Sequence, residues 1–187
     1  PTAWGKMISE SSDKKKTMED IMTRYINEVL GHYKGRILNW DVVNEPMHGT
    51  GLYQSPFTEA LGEEYIDLAF KLARKADPDC ALILNEQIND YDGPSGKAFL
   101  ELLKRLVERE VPIDGVGLQM HHLKNKHDLS AFRKYIQSIG KLGLTVEITE
   151  LDIRLLLFGD SDEPYVAQGK QFEDITKICI EEPACSG

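Results

Sequence analysis

Short apolar runs alternate along the chain with longer segments in which hydrophobic and polar residues are mixed. The runs cover residues 37–44, 81–85, 113–119 and 144–149. Each run is short, is rich in β-branched or aliphatic residues and has turn-forming residues nearby, which is typical of buried strands in a parallel sheet. In the segments between them, apolar residues recur three and four positions apart, which predicts helices with one core-facing side.

The predicted helices lie before, between and after the predicted strands. They cover about 17–30, with Thr17 as candidate N-cap, then 58–76, 95–109, a stretch around 129–136, and 163–180. Alternation of this kind indicates an α/β fold with right-handed crossovers. The strands begin about 44, 32 and 31 residues apart, close to the roughly 31 residues per unit of a 250-residue eight-stranded barrel. Four strands predict either an open sheet or about half a barrel.

The amino-acid composition and net charge argue against some classes of binding partner. The chain has 187 residues, of which 41% are hydrophobic, so one domain with a sizeable core is expected. Its net charge of −9 argues against binding nucleic acid or an anionic membrane surface. No run approaches the roughly 18 apolar residues of a membrane span. The start, Pro1-Thr2-Ala3-Trp4, has neither an initiator Met nor a signal segment, so we expect a processed chain or a fragment.

Three cysteines are present. Cys80 precedes an apolar run and is expected to be a buried small hydrophobe. Cys179 and Cys185 lie close together near the C-terminal end. A disulfide between them is plausible and would indicate an oxidising compartment, whereas the alternative is two unpaired thiols.

Two glutamates follow the first and the fourth predicted strand. Glu45 comes after the first run and Glu150 after the fourth. In parallel α/β folds, ligands bind at this edge. Two carboxyl groups about 5–5.5 Å apart can act as the acid/base and the nucleophile of retaining glycoside hydrolysis. The alternative is that each glutamate is a solvated charge at a strand end.

Polar neighbours favour the catalytic interpretation. Asn44 precedes the first of these acids and could bind a sugar hydroxyl. Gln119 and His121 close the third predicted strand, and His121 could orient Glu150. Asp152 has the same side-chain parity as Glu150 and could join that network. The alternatives are a structural histidine and a carboxylate at the start of a loop.

The sequence predicts no metal site, because His121, His122 and His127 lack the HExxH spacing of a helical zinc site. Neither a complete dinucleotide-binding or phosphate-binding loop nor a GxSxG elbow is present.

Three motifs occur in order and together resemble one enzyme family. They are WDVVNEP at 40–46, GLQMH at 117–121 and ITELDIR at 148–154. The chain resembles glycoside hydrolase family 10, the endo-β-1,4-xylanases, over nearly its whole length. The resemblance implies a (β/α)8 TIM barrel, of which the chain covers about strands four to seven. Residues 1–187 would then form a partial catalytic domain without strands one to three and eight.

The same resemblance implies roles for particular residues. Glu45 would be the acid/base and Glu150 the nucleophile of hydrolysis with retention. Asn44 would contact the 2-hydroxyl at the cleavage subsite, and Gln119 and His121 would form hydrogen bonds there and near the nucleophile. The reaction would need neither a metal nor a cofactor.

The resemblance also carries expectations about partners and location. The substrate would be xylan or a xylo-oligosaccharide. We also expect the protein to be a monomer, and the size of such a polymer together with the cysteine pair predicts secretion. A related β-1,4-glucanase and a non-catalytic carbohydrate-binding barrel remain alternatives. Half a barrel would expose strand edges, so we expect the 187 residues alone to be weakly active or inactive.

The sequence departs from the family pattern at two places. Where the family usually has Asn-Asp-Tyr-Asn, this chain has Asn85-Glu86-Gln87-Ile88. The family's tyrosine lines the leaving-group side, so it is either replaced by Gln87, which would then be a substrate-binding residue, or displaced to Tyr91. His122 stands where the family usually has an apolar residue.

Overall fold

The computed structural model describes residues 3–122, 128–159 and 163–187. Over these residues the chain forms a parallel sheet with flanking helices, so the predicted α/β fold is confirmed. No helix within these ranges is both long enough and apolar enough to cross a membrane.

Eight strands are found among the described residues. In chain order they are β1 (Asn39–Asn44), β2 (Met47–His48), β3 (Gly51–Leu52), β4 (Ala81–Glu86), β5 (Gly115–Leu118), β6 (His121–His122), β7 (Thr145–Ile148) and β8 (Asp152–Ile153). The main sheet has the order β1-β4-β5-β7, and its four strands are the four predicted from sequence, within two residues at every end. Strands β2 and β3 form an antiparallel pair, and β6 and β8 form a parallel pair.

Within the same described ranges, seven α-helices and one 3₁₀ helix accompany the strands. They are α1 (Ala3–Glu10), α2 (Lys14–Tyr33), α3 (Pro56–Leu61), α4 (Glu64–Ala76), α5 (Pro94–Glu108), α6 (Leu129–Gly140), the 3₁₀ helix Leu155–Phe158 and α7 (Pro164–Glu181).

Two helix predictions were wrong in detail. The helix expected over 58–76 is broken into α3 and α4, because Gly62 adopts a φ of 60° and donates its N–H to Thr58. The N-cap of α2 is Asp13 rather than Thr17, since the Asp13 carboxylate accepts the Lys16 N–H at 2.9 Å. Both features depend on the local backbone conformation and its hydrogen bonds, which the spacing of hydrophobic residues does not reveal.

The described chain divides into two compact units. The first consists of the residues up to Leu84 together with Arg105–Asp114. Its core lies where apolar residues of α2, such as Met18 and Met22, and of α4, such as Ile66 and Phe70, are buried.

Several ion pairs of the first unit involve Arg109, the residue that follows α5. The Arg109 guanidinium donates to both oxygens of Asp67, at 2.8 and 2.9 Å, and to Glu63 at 2.9 Å. Arg105 donates to the other oxygen of Glu63 at 2.7 Å. Burial alone would raise the pKa of Glu63, but the hydrogen bonds from both arginines outweigh burial and hold that pKa below its usual range.

The second unit consists of Asn85–Lys104 and Gly115–Gly187. Here β5 and β7 pair in parallel register, from Gly115 opposite Thr145 to Leu118 opposite Ile148. The last four residues, 184–187, run along the other edge of β7. Val146 N–H donates to the Ala184 carbonyl at 2.7 Å, and Ser186 N–H donates to the Val146 carbonyl at 2.8 Å.

A disulfide joins this C-terminal segment to α7. It links Cys179 with Cys185, whose Cα atoms are 5.1 Å apart. Cys80 is a free, buried thiol in the first unit. Burial raises the pKa of this thiol, so it remains protonated.

We expect Arg109→Met to lower the free energy of unfolding at pH 7 by about 1–2 kcal/mol, because it leaves two adjacent carboxylates without their shared cation. The folded-state pKa of Glu63 lies below its unfolded value, so its contribution is present above the unfolded pKa and is lost as pH falls through the folded pKa. The difference between the variant and the parent should therefore shrink between pH 5 and about pH 3.

Urea unfolding followed by circular dichroism measures this difference at each pH. A suitable control is Lys170→Met, which removes an exposed lysine paired with Glu173 and Asp174 and should change stability little. An equal loss for Arg109→Met at pH 7 and pH 3 would contradict the proposed linkage.

Candidate active site

Glu150 lies directly beyond β7 in the second unit, and its carboxylate is held at both oxygens. The Asn85 Nδ2 donates to Oε1 at 2.8 Å. The His121 Nε2 lies 3.2 Å from Oε2. The Glu150 side chain is 41% exposed, so the carboxylate is oriented by the protein yet remains open to a ligand.

Asn85 reaches Glu150 from the C-terminal part of β4. It is buried, and its Oδ1 accepts the Thr149 hydroxyl at 2.7 Å. With Oδ1 used in this way, the amide nitrogen faces Glu150, as hydrogen bonding to a carboxylate requires. Gly117 on β5 makes room for this amide, because a Cβ there would overlap the Asn85 Oδ1 and come within 2.9 Å of the Thr149 methyl group.

The His121 ring lies between two carboxylates. Its Nδ1 is 2.9 Å from the Asp152 Oδ2, and its Nε2 faces Glu150. The β6–β8 pairing, with His121 opposite Asp152, sets this arrangement. A neutral imidazole can donate to only one carboxylate, whereas the imidazolium donates to both. The ring can therefore orient Glu150 through the contact at Nε2.

The main chain before His121 is tightly constrained. Gln119 is buried, and its N–H donates to the Glu86 carbonyl at 3.1 Å. Met120 has a φ of 62°, a left-handed conformation that is uncommon for a residue with a side chain. This turn carries the chain from the end of β5 into β6, so that His121 points along a new direction.

Gln87 and Tyr91 contact this turn in different ways, Gln87 through the main chain of His121 and Tyr91 through the buried Met120 side chain. The Gln87 Nε2 donates to the His121 carbonyl and its Oε1 accepts the His121 N–H, both at 3.2 Å. Tyr91 is 5% exposed, packs against Phe132, and directs its hydroxyl at the Met120 sulfur. Burial raises the pKa of this phenol. Tyr91 is therefore too buried to replace the family's tyrosine at a surface that binds substrate. The alternative in which that tyrosine is displaced to Tyr91 is wrong.

Glu45 and Asn44 belong to the first unit. Both are exposed at the C-terminal end of β1, and Glu45 has a φ of 50°. A backbone conformation that is disfavoured for a glutamate costs of order 1–3 kcal/mol and is common at functional sites. The two residues border a cavity of about 600 Å³ in this unit, with His48 and Tyr53 on the β2–β3 hairpin side.

Within the three described ranges, no group of three histidine, cysteine or acidic side chains could hold a metal ion. Of the histidines considered for zinc, His127 and the side chain of His122 lie outside the described residues.

Comparison with known proteins identifies the family. The pattern described as Glycosyl hydrolase family 10 matches residues 2–187. The chain belongs to glycosyl hydrolase family 10. The resemblance seen in the sequence motifs is thereby confirmed, and the four parallel strands are part of that family's (β/α)8 barrel.

Similar family 10 proteins are xylanases of fungi and bacteria. The chain is 33% identical over 182 residues to endo-1,4-beta-xylanase 1 of Humicola insolens, covering 96% of this chain and 42% of that protein. It is 34% identical over 172 residues to endo-1,4-beta-xylanase B of Thermotoga neapolitana, covering 91% and 49%. The chain thus spans about half the length of the curated relatives it matches.

Solved family 10 structures superpose well. Native xylanase 10B from Thermotoga maritima gives a TM-score of 0.82 at 35% identity, covering 91% of this chain and 53% of that one. Xylanase 10B from Thermotoga petrophila, in complex with xylobiose, gives 0.85 at 34% identity, covering 91% and 52%.

Asn85 is the site residue that sequence reasoning did not single out. Its position at the end of a predicted strand was a usable signal, since Glu45 and Glu150 were found by that rule. Nothing in the spacing indicated that an amide on β4 would reach Glu150, because β5 lies between β4 and β7 in this family 10 sheet.

We expect Gly117→Ala to reduce the free energy of unfolding by about 1–3 kcal/mol, because the added methyl group displaces the Asn85 amide. Guanidinium unfolding measures the loss. Gly169→Ala in α7 is the matched control, since nothing lies within 4 Å of its Cβ and alanine favours a helix by about 0.5–1 kcal/mol. Equal stability of Gly117→Ala and the parent would show that Asn85 can move without cost.

Proposed function

We propose that this protein hydrolyses β-1,4-xylosidic bonds within xylan and xylo-oligosaccharides, with retention of configuration at the anomeric carbon. The observation that carries the proposal is the Glu150 carboxylate at the end of β7, with a hydrogen-bonding partner at each oxygen. Membership of family 10 supports it, as do relatives named endo-1,4-beta-xylanases.

In the first step, Glu150 acts as the nucleophile and Glu45 as the acid. A Glu150 oxygen attacks the anomeric carbon while Glu45 gives its proton to the glycosidic oxygen, so the bond to the leaving sugar breaks. The product is a covalent glycosyl–enzyme ester, and Glu45 is left ionised. This chemistry requires the two carboxyl groups to be about 5–5.5 Å apart in the working enzyme.

In the second step, the ionised Glu45 takes a proton from water. The resulting nucleophile attacks the anomeric carbon from the side that the leaving sugar occupied, and the ester bond to Glu150 breaks. Both carboxyl groups return to their starting protonation states. Two inversions give net retention, and neither step involves a metal or a cofactor.

Neighbouring residues support the two acids. The hydrogen bond from Asn85 orients one oxygen of Glu150, and His121, itself fixed by Asp152, orients the other. These contacts favour one rotamer of the nucleophile, which lowers the entropic cost of attack. We assign sugar hydroxyl binding to Asn44, which is exposed and whose side-chain amide can both donate and accept. Gln119 is only 2% exposed, so we assign it no contact with substrate, contrary to the role expected from the sequence.

The test is reducing-sugar release from xylan, cellulose and mixed-linkage glucan. Two proteins are assayed, the 187 residues alone and a graft in which they replace the matching segment of a full-length family 10 xylanase. We expect the graft to prefer xylan and the 187 residues alone to be weakly active or inactive. Preference for glucan would point to a β-1,4-glucanase, and xylan binding without hydrolysis to a carbohydrate-binding barrel.

Two substitutions in the graft test the roles of the acids. Glu150→Gln should lower kcat on xylan at least about 1000-fold, because an amide cannot form the glycosyl ester. Lys170→Met, far from this chemistry on α7, should leave kcat unchanged and serves as control. Retention of a tenth of the parent activity by Glu150→Gln would refute the assignment.

Azide distinguishes the two roles further, with an aryl xylobioside as substrate. For Glu45→Ala, azide should intercept the glycosyl–enzyme and give the β-glycosyl azide. For Glu150→Ala, direct attack on the substrate should give the α-product. Exchanged anomers, seen by proton NMR, would mean that the two roles have been assigned the wrong way round.

We propose that the protein acts outside the cell as a monomer. The disulfide between Cys179 and Cys185 supports an oxidising compartment, and a polymeric substrate such as xylan cannot enter cells. Alkylation of the denatured chain without reductant should modify Cys80 alone, and the protein should be found in the culture medium. Intracellular protein with three alkylated cysteines would contradict this.

A further inference from the structure

The side chain of Gln87 makes a two-point contact with the main chain of a single residue. Its Nε2 donates to the His121 carbonyl and its Oε1 accepts the His121 N–H, each at 3.2 Å. One primary amide thus satisfies the donor and the acceptor of the same residue, as a neighbouring strand would do. Only a side chain carrying both a donor and an acceptor in one plane can make this contact.

The contact lies next to a residue with a disfavoured backbone conformation. Met120, directly before His121, has a φ of 62° and is 1% exposed. A left-handed residue followed by a functional side chain is a strained arrangement that its surroundings must hold in place. On the other side of His121 the β6 strand is only two residues long, so its pairing with β8 gives limited support.

The His121 ring is held at both of its nitrogens. Its two nitrogens contact Asp152 at 2.9 Å and Glu150 at 3.2 Å, so a change in the Cα–Cβ direction disturbs both contacts. Fixing the peptide groups on both sides of the Cα fixes that direction. The hydrogen bonds of the Gln87 amide with His121 are made to these two peptide groups rather than to the ring.

We propose that Gln87 is a positioning residue, which holds the His121 main chain so that the imidazole remains aimed at Glu150 and Asp152. The consequence for the reaction rests on the proposed function, in which Glu150 is the nucleophile. The geometric claim stands on the hydrogen bonds alone. It gives Gln87 a role different from direct contact with substrate.

The first experiment uses the 187-residue chain and needs no activity. Gln87→Met keeps the length of the side chain and removes both hydrogen bonds. We expect the His121 amide proton to exchange with solvent about fivefold faster or more in this variant. In ¹⁵N NMR spectra, the two ring nitrogens should change their shifts as the ring loses its fixed orientation.

Asn89→Ala is the matched control. Asn89 accepts the other hydrogen bond from the Gln87 Nε2, at 3.2 Å, and its removal leaves the contact with His121 intact. We expect parent-like exchange and ring shifts. Gln87→Glu retains the acceptor for the His121 N–H but not the donor for its carbonyl, so its exchange rate should lie between those of the parent and Gln87→Met.

The second experiment measures hydrolysis of xylo-oligosaccharides by the graft. Gln87→Met should lower kcat about five- to tenfold with KM little changed, because a misaimed His121 affects the nucleophile rather than ground-state binding. A raised KM with an unchanged kcat would overturn the proposal in favour of direct substrate binding. Unchanged His121 exchange and ring shifts would also overturn it.

The two experiments separate the possible failures. If the parent graft hydrolyses nothing, the proposed function fails, and the exchange and NMR measurements still decide whether Gln87 holds His121. If the graft is active but Gln87→Met behaves like Asn89→Ala in every measurement, only the positioning role is lost.

Discussion

A hydrogen bond that crosses a strand determines how this site is built. Asn85 lies on β4 and Glu150 follows β7, and β5 lies between these two strands in the sheet. The amide can span the middle strand only because Gly117 has no side chain. Removing the Cβ from one position of a central strand weakens that strand locally. In return the nucleophile candidate gains a buried hydrogen-bond donor.

The remaining contacts follow from this placement. With Oε1 of Glu150 occupied by Asn85, Oε2 is the oxygen left for His121, and Asp152 then occupies the far side of the ring. The whole arrangement lies within one compact unit, and it combines side chains from the ends of several strands. Such ends are where parallel α/β folds place their functional groups, because the loops there vary without disturbing the sheet.

Much of this could be predicted from sequence. Buried parallel strands are continuous apolar runs, so all four main strands were found, and the two glutamates that follow them were recognised as candidates. The parity argument also linked Asp152 with Glu150, because side chains alternate along a strand. His121 was separately proposed to orient Glu150. These are properties of the local sequence and of general α/β geometry.

The features that could not be predicted depend on how separate segments of the chain are arranged in space. The spacing of residues along the sequence does not reveal that arrangement. The helix break at Gly62 results from the backbone conformation of that residue, although the amphipathic pattern of the sequence continues across it. The roles of Gln87 and Tyr91 were left open, since which of two side chains faces the site depends on how the loop after β4 turns. The structure buries Tyr91 in the core and turns Gln87 toward His121.

The C-terminal segment has a further consequence. Residues 184–187 take up the hydrogen-bonding groups on the outer side of β7, and the Cys179–Cys185 bond fastens this segment to α7. An open strand edge is a template on which another chain can add a strand of its own. The sulfur–sulfur bond therefore does more than stiffen the terminus. By tethering this segment to α7, it helps to keep the outer edge of the site-bearing strand occupied, so that this edge is not offered to strands of other molecules.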